Sequence, residues 1–313
     1  MDRSNIQVSV VIPVYRSARG LSELSRRVVA QLENMNIAWE LILVDDGSPD
    51  NAYEEIEGIC SENPNVKGIL LAQNRGQHYA TLCGIKNAMG NYIVTMDDDL
   101  QNSPDEIPKL IAAIDSGFHI VIGAPEMVKQ NSFRRLSSSL MQFMLEKLLN
   151  KPRGLRLTSF RCLSRKAADL IAEYEGIFPY MPALMFNAIP FRKITNVSVR
   201  HYTRKIGSSS YSFKQLLGLA SYLLINHSKF LLRAVVITGL VLALIAIGMT
   251  LFFVVRYLVL RSSPVGWTSL AVLTTFFSGM LLVSLGIIGE YIGRIIDQSD
   301  RTSRYQVYKK FNG

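Results

Sequence analysis

The sequence predicts an α/β protein with a mostly parallel sheet, followed by two C-terminal transmembrane helices, and three observations carry that expectation. Apolar, β-branched runs alternate with helical stretches three times before Met89. A fourth run, Tyr92-Ile93-Val94-Thr95-Met96, leads straight into the consecutive carboxylates Asp97, Asp98 and Asp99. Two uncharged apolar stretches, Ala234 to Val255 and Val265 to Gly289, lie late in the chain. Strands alternating with helices imply right-handed crossovers and parallel pairing, and stretches of that length match the hydrocarbon thickness of a bilayer.

Val8 to Tyr15 is apolar on both faces, as in a strand covered by helices on both sides, and a helix is expected from about Leu21 to Met35. A second strand, Glu40 to Val44, ends in Asp45-Asp46-Gly47-Ser48, with a helix from Asp50 to Cys60. The third, Val66 to Leu71, ends in Gln73-Asn74-Arg75-Gly76-Gln77-His78 and feeds a helix through Met89. The fourth is the run before Asp97. Each strand ends in a polar cluster, and ligands of such sheets collect at the carboxyl ends of the strands, so these ends converge on one cleft. Beyond them, Ser103-Pro104-Asp105-Glu106 reads as a helix-starting capping box with proline at the first helical position.

Three adjacent carboxylates repel one another, and their most economical use is to hold a hard divalent cation, Mg²⁺ or Mn²⁺, shared with substrate phosphates. Alternation sends Asp97 and Asp99 to the same side, with Gln101 following as a neutral oxygen ligand. The competing reading is a solvated acidic turn ahead of a helix. Cys60, Cys83 and Cys162 lie far apart with no paired spacing, which suggests neither a zinc site nor a disulfide framework and fits a reducing compartment. A net charge of +9 fits nucleic acid, anionic lipid or phosphorylated substrates, and the location of the basic residues decides among them. Met1 to Asn5 lead into a strand-like run too short for a secretory signal.

The blocks Val11-Ile12-Pro13-Val14-Tyr15, Val44-Asp45-Asp46-Gly47-Ser48, Asn74-Arg75-Gly76-Gln77-His78 and Asp97-Asp98-Asp99-Leu100-Gln101 occur in an order and spacing that resembles family 2 glycosyltransferases of the Rossmann-like GT-A fold. More narrowly, the extended Asp-Leu-Gln-Asn block and Gly289-Glu290-Tyr291-Ile292-Gly293-Arg294 resemble the polyprenyl-phosphate glycosyltransferases, such as dolichyl-phosphate mannose synthase and the bacterial undecaprenyl-phosphate glucosyl and aminoarabinose transferases. The resemblance covers nearly the whole chain. It implies inverting, metal-dependent transfer of a sugar from a nucleotide sugar, uridine-linked, to a polyprenyl phosphate on the cytoplasmic leaflet, in cell-envelope glycan or lipopolysaccharide modification. It also implies a homotetramer. Pro13, Tyr15, Asp46, Asp97 and Asp98 would take the nucleotide sugar, and Asp99 and Gln101 the metal. Arg134 and Arg135 would lie near the phosphates. In His201 to Tyr211, Arg204 and Ser209 would hold the lipid phosphate. The catalytic set is then Asp97, Asp99, Arg134 and Arg204, with arginine suited by its planar fork to phosphate oxygens.

One departure stands out. Relatives carry Gly-Asp-Phe or Gly-Asp-Tyr, with the aspartate as candidate base, where this chain has Thr158-Ser159-Phe160. No histidine or acid neighbours Ser159 in sequence, so it reads as a hydrogen-bond donor only. The alternative that follows is a catalytically impaired relative that binds donor or lipid phosphate and recruits a membrane partner. His78 reads as a polar residue capping the helix after it.

Ala234 to Val255 is 22 uncharged residues, about 33 Å as a helix at 1.5 Å per residue. Lysines and arginines before the first span and after the second outnumber Arg256 and Arg261 between them, which places both termini in the cytoplasm of a bacterial inner membrane protein. The organisation is 1–212 catalytic domain, 213–233 amphipathic juxtamembrane helix, 234–289 transmembrane hairpin and 290–313 basic tail. Ile177 to Phe186 is either a second surface helix with headgroup-level aromatics or core. With the basic excess assigned to the bilayer and to phosphates, nucleic acid is not a partner.

Overall fold

The computed structural model describes residues 6–125, 154–176, 179–200, 202 and 305–312, with isolated positions between 259 and 295. The chain divides into two compact units, Met1–Ser209 with Thr302–Gly313, and Ser210–Arg301.

The expected alternation is present. Strands β1 (Val8–Val14), β2 (Trp39–Asp45), β3 (Val66–Leu71) and β4 (Tyr92–Thr95) pair in parallel in the order β4-β1-β2-β3. Their residues are buried nearly throughout, because α1 (Ala18–Asn34), α2 (Ala52–Glu62), α3 (Gln77–Asn87) and α4 (Ile107–Asp115) cover both faces. On one face Val8, Val10 and Ile12 meet Leu21, Leu24 and Val28 of α1. On the other, Val11, Ile42 and Val44 meet Ala80 and Cys83 of α3. A Cβ at Gly84 would come within 2.2 Å of Val11 Cγ1, so α3 lies on the sheet closer than any side-chain-bearing residue there would allow.

Beyond β4 the direction changes. β6 (Arg161–Ser164) pairs antiparallel with β4 and with β5 (Ile120–Pro125), and β7 (Ile194–Val199) runs parallel to β5. Helices α5 (Arg165–Ala172) and α6 (Met181–Ala188) complete the cover. Met181, Ala183, Leu184 and Met185 are buried, which resolves the described part of the Ile177–Phe186 patch as core.

One local expectation fails, and one element is new. Ser103 makes no capping bond; its hydroxyl donates to Asp105 at 3.0 Å, while buried Glu106 accepts from Arg200 at 2.8 Å. With both capping side chains engaged elsewhere, Pro104–Glu106 forms a 3₁₀ turn and α4 starts only after it. The basic tail, in turn, ends as β8 (Val307–Phe311), antiparallel to β3 at the sheet edge. Lys309 pairs with Glu57 at 3.1 Å and lies over the Tyr53 and Phe311 rings, and Asn312 Nδ2 donates to the Cys60 and Val66 carbonyls. Lysine on an exposed edge strand is a common guard against further strand pairing.

At the strand starts, away from the cleft, Glu40 is buried at 1% exposure. Its Oε1 accepts from Ser9 Oγ at 2.5 Å and Met89 N at 2.6 Å, and its Oε2 meets Lys67 Nζ at 2.7 Å. Gly90 N donates to the same Ser9 hydroxyl at 2.8 Å. One carboxylate thus ties β1, β2, β3 and the turn into β4 together.

Among the described residues no helix is long and apolar enough to cross a membrane. Ala234 to Val255 and the segment 213–233 lie outside the described residues, and Val265 to Gly289 is described only at isolated positions, helical at Leu270, Leu281 and Leu285, whose side chains are exposed. Arg134, Arg135, Arg204 and Ser209 also lie outside them.

Candidate active site

The carboxyl ends of β1 to β4 are joined by side chain to backbone bonds. Asp46 is buried, and its two oxygens accept from Arg75 N and Gly76 N, each at 2.8 Å, so the loop after β3 is tied to the end of β2. Gly47 has φ 64°, and a Cβ there would meet Asn74 N at 2.7 Å; the two loops touch backbone to backbone. Asp45 accepts from Ser48 N at 3.1 Å. Pro13 is buried within β1, whereas the Tyr15 ring is 40% exposed, with the Arg16 guanidinium 5.2 Å from its centroid.

The three consecutive carboxylates have three different sets of partners. Asp97 accepts from Gln77 Nε2 and from Ser159 Oγ through short bonds, one to each oxygen. Asp98 Oδ2 accepts from Tyr15 N at 3.0 Å and from the Ser17 hydroxyl. Asp99 Oδ1 accepts from Gln101 N at 3.1 Å. Gln101 O in turn accepts from Tyr202 N at 2.9 Å, which sets Tyr202 beside the acidic loop.

The sequence has no acid next to Ser159, but the fold supplies one. β6 pairs antiparallel with β4, Arg161 opposite Thr95, and this register carries Ser159 to Asp97. Thr95 Oγ1 donates to Ser159 O at 2.7 Å and fixes the approach. Ser159 remains a donor, as expected, now with a defined acceptor. His78 is not a cap: Gly76 holds the N-cap position of α3, and the His78 ring meets Tyr180 edge-on at 5.2 Å. Arg161, unflagged by sequence although an arginine opening a buried strand is itself a signal, is 5% exposed; its Nε donates to Ser159 O at 3.3 Å and its Nη1 lies 3.0 Å from Met185 Sδ.

Burial raises the pKa of Asp97, with Asp99 adding to the shift and Ser159 and Arg161 opposing it. Burial likewise raises Asp98, against its bonds from Ser17 and Tyr15, and raises Asp46, against those from Arg75 and Gly76. Arg161 is pulled down to about 10 by burial, with Asp97 opposing. Burial and the Arg161 charge lower His78 to about 4. The unfolded chain therefore takes up a proton below 6.5 that the native protein refuses until about pH 4. His78 contributes stability that is present above the unfolded pKa and lost as pH falls through that window. The raised carboxylates act in the opposite sense, costing stability at neutral pH. His78→Gln should lose less melting temperature between pH 7 and pH 4.5 than the unaltered protein; equal losses would assign the acid sensitivity elsewhere.

Among the described residues no group of three or more His, Cys, Asp or Glu is arranged to hold a metal ion. A closed all-protein cage is thus not what these residues offer. One or two carboxylates, with the remaining ligands from substrate phosphates and water, is the donor set Mg²⁺ and Mn²⁺ take in phosphate chemistry, and the acidic loop fits that.

Residues 9–172 match the family model described as glycosyl transferase family 2. The chain is 34% identical over 308 residues to the undecaprenyl-phosphate 4-deoxy-4-formamido-L-arabinose transferase of Salmonella paratyphi A, covering 96% of this chain and 92% of that protein. The same enzyme of Salmonella choleraesuis is 33% identical over the same coverage. Among solved structures, glucosyl-3-phosphoglycerate synthase from Mycobacterium tuberculosis in complex with Mn²⁺, uridine diphosphate and phosphoglyceric acid aligns with a TM-score of 0.53 at 15% identity, covering 71% of this chain and 78% of that one. At that identity the likeness is one of fold.

Proposed function

The chain belongs to glycosyl transferase family 2, and from that membership we propose that it moves a sugar from a uridine-linked nucleotide sugar to a polyprenyl phosphate at the cytoplasmic face of a bacterial inner membrane. The observation that carries the proposal is the Gln101 carbonyl holding Tyr202 N at 2.9 Å, which places beside the carboxylate loop the residue from which, in sequence, the expected acceptor segment runs on. Donor and acceptor chemistry then meet at one strand end. The Salmonella relatives act, by name, on undecaprenyl phosphate, and their likeness extends over nearly the whole chain.

In this reading the exposed Tyr15 ring receives the base, with Pro13 and Asp46 shaping the pocket floor through the backbone. Asp99 and Gln101 would hold the cation, which when bound neutralises charge developing on the leaving diphosphate. Asp97, oriented by Gln77 and Ser159, faces the donor. Arg134, Arg135, Arg204 and Ser209 would grip phosphate oxygens. An acceptor phosphate oxygen attacks the anomeric carbon, the bond from that carbon to the diphosphate oxygen breaks, and configuration inverts. No proton has to be removed, because a phosphate monoester with a second pKa of about 6 is already mostly dianionic at pH 7.

The strand β8 supports two spans. It pairs with β3 of the unit that also holds the N-terminal strand, which is what an even number of crossings between them would require.

Purified protein given polyprenyl phosphate and a panel of nucleotide sugars should release nucleoside diphosphate, at a rate rising with pH through the phosphate pKa and then levelling. Ser159→Asp should be slower by at least about tenfold, since a second carboxylate against Asp97 sets like charges within hydrogen-bond distance. Turnover by the aspartate variant alone would make the natural chain a binding protein with a lost base.

A further inference from the structure

Asp98 lies between Asp97 and Asp99 and yet turns to a different loop. Its Oδ2 accepts from Tyr15 N at 3.0 Å and from the Ser17 hydroxyl, residues 83 and 81 positions away. Ser17 occupies the N-cap of α1 but makes no side-chain cap bond there. The helix forgoes a normal cap so that this hydroxyl can reach Asp98. Between the two contacts Arg16 has φ 57°, and on the other side of Asp98 Leu100 has φ 59°, left-handed conformations that non-glycine residues hold only where the surroundings impose them. The surroundings are visible. Arg16 N donates to Ser48 Oγ at 3.2 Å and Ala18 N to Asp50 Oδ2 at 3.2 Å, and buried Leu100 sits 3.8 Å from where a Gly20 Cβ would be.

We propose that Asp98 is a positioning residue rather than a ligand of metal or nucleotide: one of its oxygens locks the Tyr15 loop to the Asp97–Gln101 loop, so that base and diphosphate are received by a single piece. What the joined loops receive rests on the donor reading above; the lock itself rests on the bonds. Because both bonds end on one accepting oxygen, the role needs an acceptor and not a charge. This separates it from metal or nucleotide-phosphate chemistry, where the charge counts.

The test compares Asp98→Asn, Asp98→Ala and Ser17→Ala in the full chain. Hydrogen exchange at the Tyr15 and Ala18 amides in the ligand-free protein should quicken by about tenfold or more in Asp98→Ala and less in Ser17→Ala, and stay near the original rate in Asp98→Asn. Donor KM should rise by about tenfold in Asp98→Ala with kcat within about threefold, and Asp98→Asn should restore it. Should Asp98→Ala fail to fold, Ser17→Ala and Asp98→Asn still decide. Unchanged exchange in Asp98→Ala or Ser17→Ala overturns the lock. So does an Asp98→Asn that exchanges normally but loses Mn²⁺-dependent uridine diphosphate binding, since that would make Asp98 a charged ligand. If the unaltered protein binds no uridine diphosphate, the donor reading fails while the exchange data still decide the lock.

Discussion

Asp99→Ala should lower kcat/KM for sugar transfer by about a thousandfold or more while leaving the metal-free protein folded and inserted. Its neighbours in the triad are engaged by the protein itself, Asp97 by Gln77 and Ser159 and Asp98 by Tyr15 and Ser17. Asp99 Oδ1 accepts from Gln101 N within its own loop, and in the proposed site Asp99 is the carboxylate offered to the cation. A cation at a leaving diphosphate supplies several kcal/mol of charge stabilisation, and about 4 kcal/mol corresponds to a thousandfold in rate. The companion measurement is thermal. Mn²⁺ with uridine diphosphate at about a hundred times their dissociation constant should stabilise the unaltered protein by about 2.7 kcal/mol, and Asp99→Ala should lose that gain. Retention of more than about a tenth of the activity, or an undiminished thermal shift, would move the metal site off Asp99.

The largest effect on stability is expected at the opposite end of the sheet. Glu40→Ala should destabilise the sheet domain by about 3–5 kcal/mol, because it strands the Lys67 side chain, 11% exposed, with only Met89 Sδ at 4.0 Å recorded beside its ammonium, and removes an acceptor from Ser9 and Met89. Lys67→Met should cost a similar amount by leaving Glu40 charged and buried. Replacing both by methionine should cost clearly less than the sum, since neither charge is then left alone. Denaturant melts of the three variants check this. Single losses below about 1 kcal/mol would mean that the pair is open to water in solution.

Strand and helix order and the gathering of polar residues at the strand ends were legible in the amino-acid order because they depend on local periodicity. A run apolar on both faces can be satisfied only inside a covered parallel sheet, and polar residues at its end must then face the opening. Helix starts were less legible: α1 begins at Ala18, ahead of the expected Leu21, and Ser103, read as a cap, turns its hydroxyl to Asp105. The tail was read by charge, and its strand pattern, Val307-Tyr308-Lys309-Lys310-Phe311, was hidden by its lysines. Asp97, Asp98 and Asp99 are chemically identical neighbours, and alternation, which sets Asp98 apart from the other two, does not name the partner that fixes each one. Only the folded chain does so, by bringing Ser159 from across the β4–β6 pairing to Asp97 and the N-cap of α1 to Asp98. Hydrogen bonds fall off within a fraction of an ångström of their proper length, and partners 62 and 83 positions apart are set at that precision by sheet register and helix packing, not by sequence spacing.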